Sequence, residues 1–231
     1  MGYLLLEGGA EFGGAMREPD IHAIELAGGS DAPIRIIPTA AAPDDNHVRA
    51  GNNGTHWFRS LGATNVESLP LIDKVSANDF QIVESLRAAK LIYLVGGFTH
   101  YLGQTLLGSQ AWEAALDAYQ NGAIIAGSSA GAMVMCEYYY DPGRGVVERG
   151  LNLIPNACVL PHHNTFGKNW ARKLKGLLPD VTLLGIDEFT GMLTEGGEWH
   201  VLGGGKVTVY REGKIENYES DRKFKLGSMV K

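Results

Sequence analysis

The sequence predicts an α/β protein built on a mostly parallel β-sheet, with a β-rich section towards its C-terminal end. Three features carry that expectation. Short unbroken apolar runs recur, among them Tyr3–Leu6, Leu91–Val95 and Ala123–Ala126. A run without polar alternation suits a strand covered on both faces. Glycine is abundant, at 31 residues, and often follows those runs directly, as it does in the tight turns that lead from a parallel strand into a helix. Between the runs lie segments with apolar residues at helical spacing. A length of 231 residues, with no internal repeat and no linker, points to a single domain over residues 1–231.

The elements follow in order along the chain. Tyr3–Leu6 is the first strand. Glu7–Gly14 is a glycine-rich loop at its end, only loosely similar to a phosphate cradle. Asp20–Ala27 is a short helix stopped by Gly28-Gly29. Pro33–Pro38 is the second strand and Thr39–Asn46 its loop. A helix from His47 to Leu61 ends at Gly62, and Val66–Leu69 is the third strand. Asn78 or Asp79 caps a helix through Ala89, with Phe80, Ile82, Val83 and Leu86 at helical spacing. Leu91–Val95 is the fourth strand and runs into Gly96-Gly97-Phe98-Thr99. His100–Leu107 and Gln110–Gln120 are helical. Ala123–Ala126 leads into Gly127-Ser128-Ser129-Ala130-Gly131-Ala132, and a helix over Met133–Tyr139 follows until Asp141-Pro142-Gly143 breaks it. Val146–Ile154 reads as strand and turn. Ala157–Leu160 is a strand that runs into Pro161-His162-His163-Asn164. Asn169–Leu178 is a basic helix. Thr182–Ile186 is a strand ending in Asp187-Glu188. Met192–Thr194, Trp199–Leu202, Lys206–Tyr210 and Gly213–Ile215 read as short antiparallel strands.

Composition removes several functional classes. A formal net charge of −6 argues against a nucleic-acid footprint. Cys136 and Cys158 are too few for a disulfide framework or a four-cysteine metal site, and their apolar surroundings suit buried thiols. The first residues lack the basic segment of a signal peptide, and no run approaches the ~18 apolar residues of a membrane span. A soluble, cytoplasmic protein with no nucleic-acid or membrane partner is expected. Trp57, Phe58 and Tyr138–Tyr140 leave a homodimer open.

The chemistry centres on Gly127–Ala132. Strand, tight turn and helix with G-x-S-x-G in the turn is the context of a nucleophile elbow. It lifts Ser129 to the apex, and Ser128 lacks the flanking glycine spacing. The Ala130 N–H then lies at a helix start, where an oxyanion is stabilised, and Gly97 is best placed to supply a second donor. A serine needs a base, oriented by a third group. Of seven histidines, His162 and His163 follow a buried strand at the sheet edge where open α/β sheets hold their ligands. Either suits the base. Glu188 or Asp187 suits the third group, and Asp141 is a rival. The spacing of these residues is not that of a metal site, and no metal or cofactor is expected.

These residues also carry a resemblance. Gly127–Ala132 as G-x-S-A-G-A, Gly96-Gly97 one βα unit earlier, Leu151-Asn152-Leu153-Ile154-Pro155 and Gly185-Ile186-Asp187-Glu188 are together similar to the serine peptidase family of aspartyl dipeptidase (peptidase E) and cyanophycinase. The resemblance runs from about Leu4 to Tyr210. It implies a three-layer, flavodoxin-like fold of the class I glutamine amidotransferase type, with serine as nucleophile. It implies Ser129 as that nucleophile, His162 as base, and Gly97 and Ala130 as oxyanion donors. His163 stands where the family has Phe. The cyanophycinase pattern points to Glu188 as the acid, and the dipeptidase pattern to Asp141. Leu160-Pro161 replaces the Asp-Gln of the cyanophycinases. The family's preference for an aspartyl residue implies a cationic pocket, for which Arg172 and Lys168 are the candidates. The expected substrate is a small peptide, a dipeptide with an N-terminal aspartyl or similar acidic residue.

Three other readings stand beside this one. A cyanophycinase-like exopeptidase would act on β-Asp-Arg polymer. An α/β-hydrolase esterase would use Ser129, Asp141 or Asp187, and His200. A non-catalytic amidotransferase-like domain would bind a metabolite or a protein.

Overall fold

The structure is a computed structural model and describes residues 1–226. Its parallel core is built from β1 (Tyr3–Glu7), β2 (Ile34–Ile37), β3 (Val66–Ser68), β4 (Leu91–Leu94) and β5 (Ile124–Ser128). The crossovers are α1 (Arg17–Leu26), α2 (His47–Ser60), α3 (Phe80–Arg87), α4 (Thr99–Leu106) and α5 (Gln110–Gln120). Asp79 caps α3, its Oδ1 accepting from the Gln81 and Ile82 N–H groups at 2.9 and 3.2 Å, which supplies partners that the first turn of a helix lacks.

The solid apolar runs are explained by cover on both faces. Leu5, Ile34, Ile36, Leu91, Tyr93 and Ile124 pack on one side with Ala23 and Ile24 of α1 and Phe58 of α2. Leu4, Leu6, Ile92, Leu94 and Ile125 pack on the other side with residues of α3, α4 and α5. Neighbouring residues of each strand therefore fall in different cores, as the two-residue period of a strand requires. The result is a three-layer α/β fold.

The remaining elements are α6 (Ala130–Met135), β6 (Cys136–Asp141), β7 (Val146–Arg149), β8 (Ile154–Leu160), α7 (Ala171–Leu177), β9 (Thr182–Ile186), β10 (Thr190–Glu195), β11 (Glu198–Gly203), β12 (Lys206–Arg211), β13 (Lys214–Glu219) and β14 (Lys223–Phe224). β10, β11 and β14 extend the first sheet beyond β1 in antiparallel fashion, giving the order β14-β11-β10-β1-β5-β4-β2-β3.

One expectation is corrected by the course of the chain after the elbow. The helix expected over Met133–Tyr139 stops at Met135, and the chain continues as β6. Tyr138–Tyr140 are aromatic residues with strand preference, and β6 finds partners in both β7 and β8. β6 belongs to a second sheet, of order β13-β12-β9-β8-β6-β7. β6, β8 and β9 are parallel within it, and its flanks are antiparallel. The β-rich section is thus divided between the first sheet and a separate layer, packed against α6.

In the first sheet, Glu7 lies opposite Ser128 and Leu94 lies opposite Gly127. The carboxyl ends of β1, β4 and β5 therefore finish together, at the edge where open α/β sheets bind ligands. Among the described residues, no helix is long and apolar enough to cross a membrane.

Candidate active site

Ser129 joins β5 to α6 with φ +49° and ψ −109°, a conformation disfavoured for any residue with a β-carbon. The turn is held from both sides. The Ser129 N–H donates to the Glu7 carbonyl at 3.0 Å, and its carbonyl accepts from the Met133 N–H at 3.0 Å. A β-carbon at Gly131 would lie 2.1 Å from the Leu94 carbonyl oxygen, so α6 can start this close to β4 only with glycine there. Both flanking positions of the G-x-S-x-G are buried.

His162 follows β8, also with positive φ, +49°. Its N–H donates to the Gly8 carbonyl at 2.6 Å, and its carbonyl accepts from the Thr165 and Gly167 N–H groups at 3.0 and 2.9 Å. Phe166 stacks on the imidazole, with ring centroids 4.8 Å apart and planes at 24°. The ring so fixed places Nε2 3.0 Å from Ser129 Oγ and Nδ1 2.8 Å from Glu188 Oε1. An ionised carboxylate only accepts, so Nδ1 carries the proton and Nε2 offers its lone pair to the serine hydroxyl. Glu188 follows β9, and its own N–H donates to Asn164 Oδ1 at 2.9 Å. The loops that carry the histidine and the carboxylate are thereby tied together.

His163 faces the other way. Its Nε2 lies 2.8 Å from the Tyr210 hydroxyl, and its Nδ1 lies 3.6 Å from Asp187 Oδ1. Burial pushes its pKa down, against the opposing pull of the Asp187 carboxylate, which favours the neutral ring. The two histidines and two carboxyls thus sort into separate pairs. His162 and Glu188 reach Ser129, while His163 and Asp187 reach the second sheet.

Other candidates fall elsewhere. Asp141 Oδ1 accepts from the Gly143 and Arg144 N–H groups at 3.0 and 3.4 Å. It serves the turn between β6 and β7, and Glu188 occupies the place at His162 that Asp141 was a candidate for. Arg172 is exposed on α7. Lys168 is exposed and lines a cleft of 390 Å³ beside His163, Asp187 and Lys206. His200, which the esterase order requires, pairs in its sheet with Leu193 and Lys223 and packs edge-on against His22 at 6.3 Å.

Gly97 has φ +140°, and a β-carbon there would lie 2.4 Å from the Ala40 carbonyl oxygen. The position needs glycine on both counts. Ala130 is the first residue of α6, so its N–H has no acceptor within the helix. Gly96 and Gly97 border a cavity of 520 Å³ beside Ser129.

Sequence reasoning missed two acidic features. Glu11 of the glycine-rich loop accepts the Ser128 hydroxyl at 2.9 Å and lines that cavity. Beneath the elbow, Glu7 and Asp20 are fully buried. The Tyr93 hydroxyl donates to Glu7 Oε2, and Trp57 Nε1–H donates to Asp20 Oδ2 at 2.7 Å. Glu7 Oε1 and Asp20 Oδ1 receive no donor. Burial raises the Glu7 pKa well above the usual carboxylate range and that of Asp20 to about 7. Each carboxyl raises the cost of ionising its neighbour, so the buried pair favours protonated forms. A carboxylate closing the otherwise apolar run Tyr3–Glu7 was the available signal.

This pair has a consequence for stability. The folded Asp20 pKa of about 7 exceeds the ~3.9 of an unfolded chain. The folded state therefore holds a proton that the unfolded state releases, and stability falls as pH rises from about 4 to about 7. Asp20→Asn keeps the shape and removes this titration. Urea denaturation across that window is expected to show a shallower pH dependence for the variant, and an unchanged slope would contradict the raised Asp20 pKa.

Comparison with known proteins shows the family of the chain. The family model of peptidase family S51 matches residues 4–202. The cyanophycinase of Nostoc sp. (strain PCC 7120) is 32% identical over 216 residues, covering 85% of this chain and 71% of that protein. The cyanophycinase of Synechococcus elongatus is 30% identical over 240 residues, covering 94% and 71%. Among solved structures, a peptidase from an acI-B1 Actinobacterium superposes with a TM-score of 0.87 at 30% identity, covering 98% of this chain and 97% of that one. A peptidase E candidate from Listeria monocytogenes EGD-e, at 22% identity and TM-score 0.65 over 88% of this chain and 98% of its own, shares the fold.

Proposed function

The chain belongs to peptidase family S51 and is a serine-type peptidase, and from that premise we propose that it hydrolyses small peptides through an acyl-enzyme on Ser129. Ser129 Oγ attacks the peptide carbonyl as His162 Nε2 takes its proton. Glu188 holds the imidazolium that forms, and the N–H groups of Gly97 and Ala130 receive the oxyanion. His162 returns the proton to the leaving amine. Water, activated by the same imidazole, then releases the acyl group and restores the serine.

The observation that carries this reading is the unbroken relay from Ser129 Oγ to His162 Nε2 at 3.0 Å and from His162 Nδ1 to Glu188 Oε1 at 2.8 Å. The preferred substrate is a dipeptide with an N-terminal aspartyl residue. That preference rests on the resemblance to aspartyl dipeptidase, since Lys168 and Lys206 line a cleft on the His163 side, which faces away from Ser129. The relatives named cyanophycinase favour a second reading, an exopeptidase acting on β-Asp-Arg polymer.

A panel of Asp-X, isoaspartyl-X, Glu-X and neutral dipeptides, with the polymer alongside, separates these. Fastest cleavage of Asp-X dipeptides is expected. Release of β-Asp-Arg from the polymer with the dipeptides left intact would replace the first reading with the second. Cleavage of nothing in the panel would contradict both.

A further inference from the structure

The loop Glu7–Gly14 is the motif that the catalytic relay leaves unused. Its cavity-facing carboxylate is Glu11, whose neighbours Ala10 and Phe12 have φ of +59° and +64°. Left-handed backbone on both sides of one carboxylate, at residues that carry a β-carbon, marks a constrained placement. One carboxylate oxygen is engaged, Oε2 accepting from the Ser128 hydroxyl at 2.9 Å. The other lies on the same side of Gly96 as Ser129: a β-carbon built on Gly96 would lie 3.1 Å from Glu11 Oε1 and 3.3 Å from Ser129 Cβ. Oε1 and the Ser129 side chain therefore border the same face of Gly96, at the wall of the cavity.

The cavity is lined by two carboxyls, Glu11 and Asp44, and one imidazole, His56, with no lysine or arginine, and among the described residues Glu11 has no salt-bridge partner. Phe12 and Trp57 contribute aromatic rings to the wall, which suits a cation more than an anion. A phosphate or carboxylate would meet two like charges there.

We propose that Glu11 is a specificity-determining residue: it receives a protonated nitrogen that the substrate presents close to the carbonyl attacked by Ser129, and the cavity beyond Gly96-Gly97 houses the cationic group. The inference rests on the peptidase reading above for the position of the scissile carbonyl. Two sources share this chemistry, the free α-ammonium of an N-terminal residue and a lysyl or arginyl side chain. The free α-ammonium would make the enzyme depend on an unblocked N-terminus.

The test uses Ser129→Ala protein, which holds a peptide without turning it over, with and without Glu11→Gln. Glutamine keeps the size and an acceptor for the Ser128 hydroxyl while removing the charge. Binding is measured by calorimetry for Asp-Leu against N-acetyl-Asp-Leu, and for N-acetyl-Lys-Leu against N-acetyl-norleucyl-Leu. The expected result is that the charged member of one pair binds more tightly, and that Glu11→Gln removes about 10- to 100-fold of that preference with the neutral member unchanged, since a hydrogen bond to a charged group is lost. The pair affected identifies the source of the nitrogen. No preference in either pair, or equal weakening of both members by Glu11→Gln, overturns the proposal. Fluorophosphonate labelling of the otherwise unaltered protein reports separately on the peptidase reading. Labelled Ser129 without charge preference sinks the Glu11 assignment alone, and charge preference without labelling sinks the peptidase assignment alone.

Discussion

Ser129→Ala is expected to lower kcat/KM on the preferred dipeptide by about 10⁴- to 10⁶-fold, the scale seen when a serine nucleophile is removed and only binding and oxyanion contacts remain. The fold should be intact. The strained elbow is held by backbone bonds from Ser129 to Glu7 and Met133 and by the contact of Gly131 with β4, none of which involves the hydroxyl. Ser128→Ala is the matched control. Its hydroxyl is buried and bonds to Glu11, so its loss is expected to cost no more than about tenfold, through a displaced Glu11 carboxylate. Steady-state kinetics with circular dichroism on both variants gives the comparison. A Ser129→Ala enzyme that retains a tenth of the wild-type rate would remove serine as the nucleophile.

The second large effect is expected at His162. His162→Ala should cost about as much as Ser129→Ala, and the double variant little more than either alone, because nucleophile and base act as one unit. Glu188→Gln should cost less, about 10²- to 10⁴-fold, by leaving the imidazolium without its partner. His163→Phe should cost under about tenfold. It fills the same space and loses only the bond to Tyr210 and the contact with Asp187. Kinetics on the three single variants check the sorting of adjacent residues into two pairs. A larger loss at His163 than at His162 would invert the assignment.

That sorting marks where the sequence stops being informative. The parallel strands were legible because Leu91–Leu94 and Ile124–Ser128 are buried on both faces, and solid apolar runs have no other economical explanation. Ser129 was legible because strand, glycines and serine lie within one turn. The pair His162-His163 was legible as a place but not as a choice. Asp187-Glu188 posed the same ambiguity. Each pair lies just past a strand end, where the alternation of faces no longer applies and loop bonds such as Glu188 N–H to Asn164 decide the direction.

The second sheet was harder to see. Met133–Tyr139 is apolar enough to continue a helix, and its end at Met135 depends on partners for β6 that arrive later in the chain. The acidic residues around the elbow were hidden for a related reason. Glu7 owes its environment to Asp20 and to Tyr93, the latter 86 positions away, and Glu11 owes its direction to Ser128, 117 positions away. No local pattern encodes such neighbours. The Asp141 alternative looked reasonable from chain order alone, and the turn it caps is visible only in three dimensions.

The central claim is that His162 activates Ser129 towards a carbonyl or its mimic. The most direct measurement is intact mass spectrometry after incubation with a fluorophosphonate, with peptide mapping of the adduct. One phosphonyl group on Ser129 is expected in the wild-type protein, with labelling lost in Ser129→Ala and slowed at least about a hundredfold in His162→Ala. An unlabelled wild-type protein, an adduct on Ser128, or labelling indifferent to His162 would contradict it.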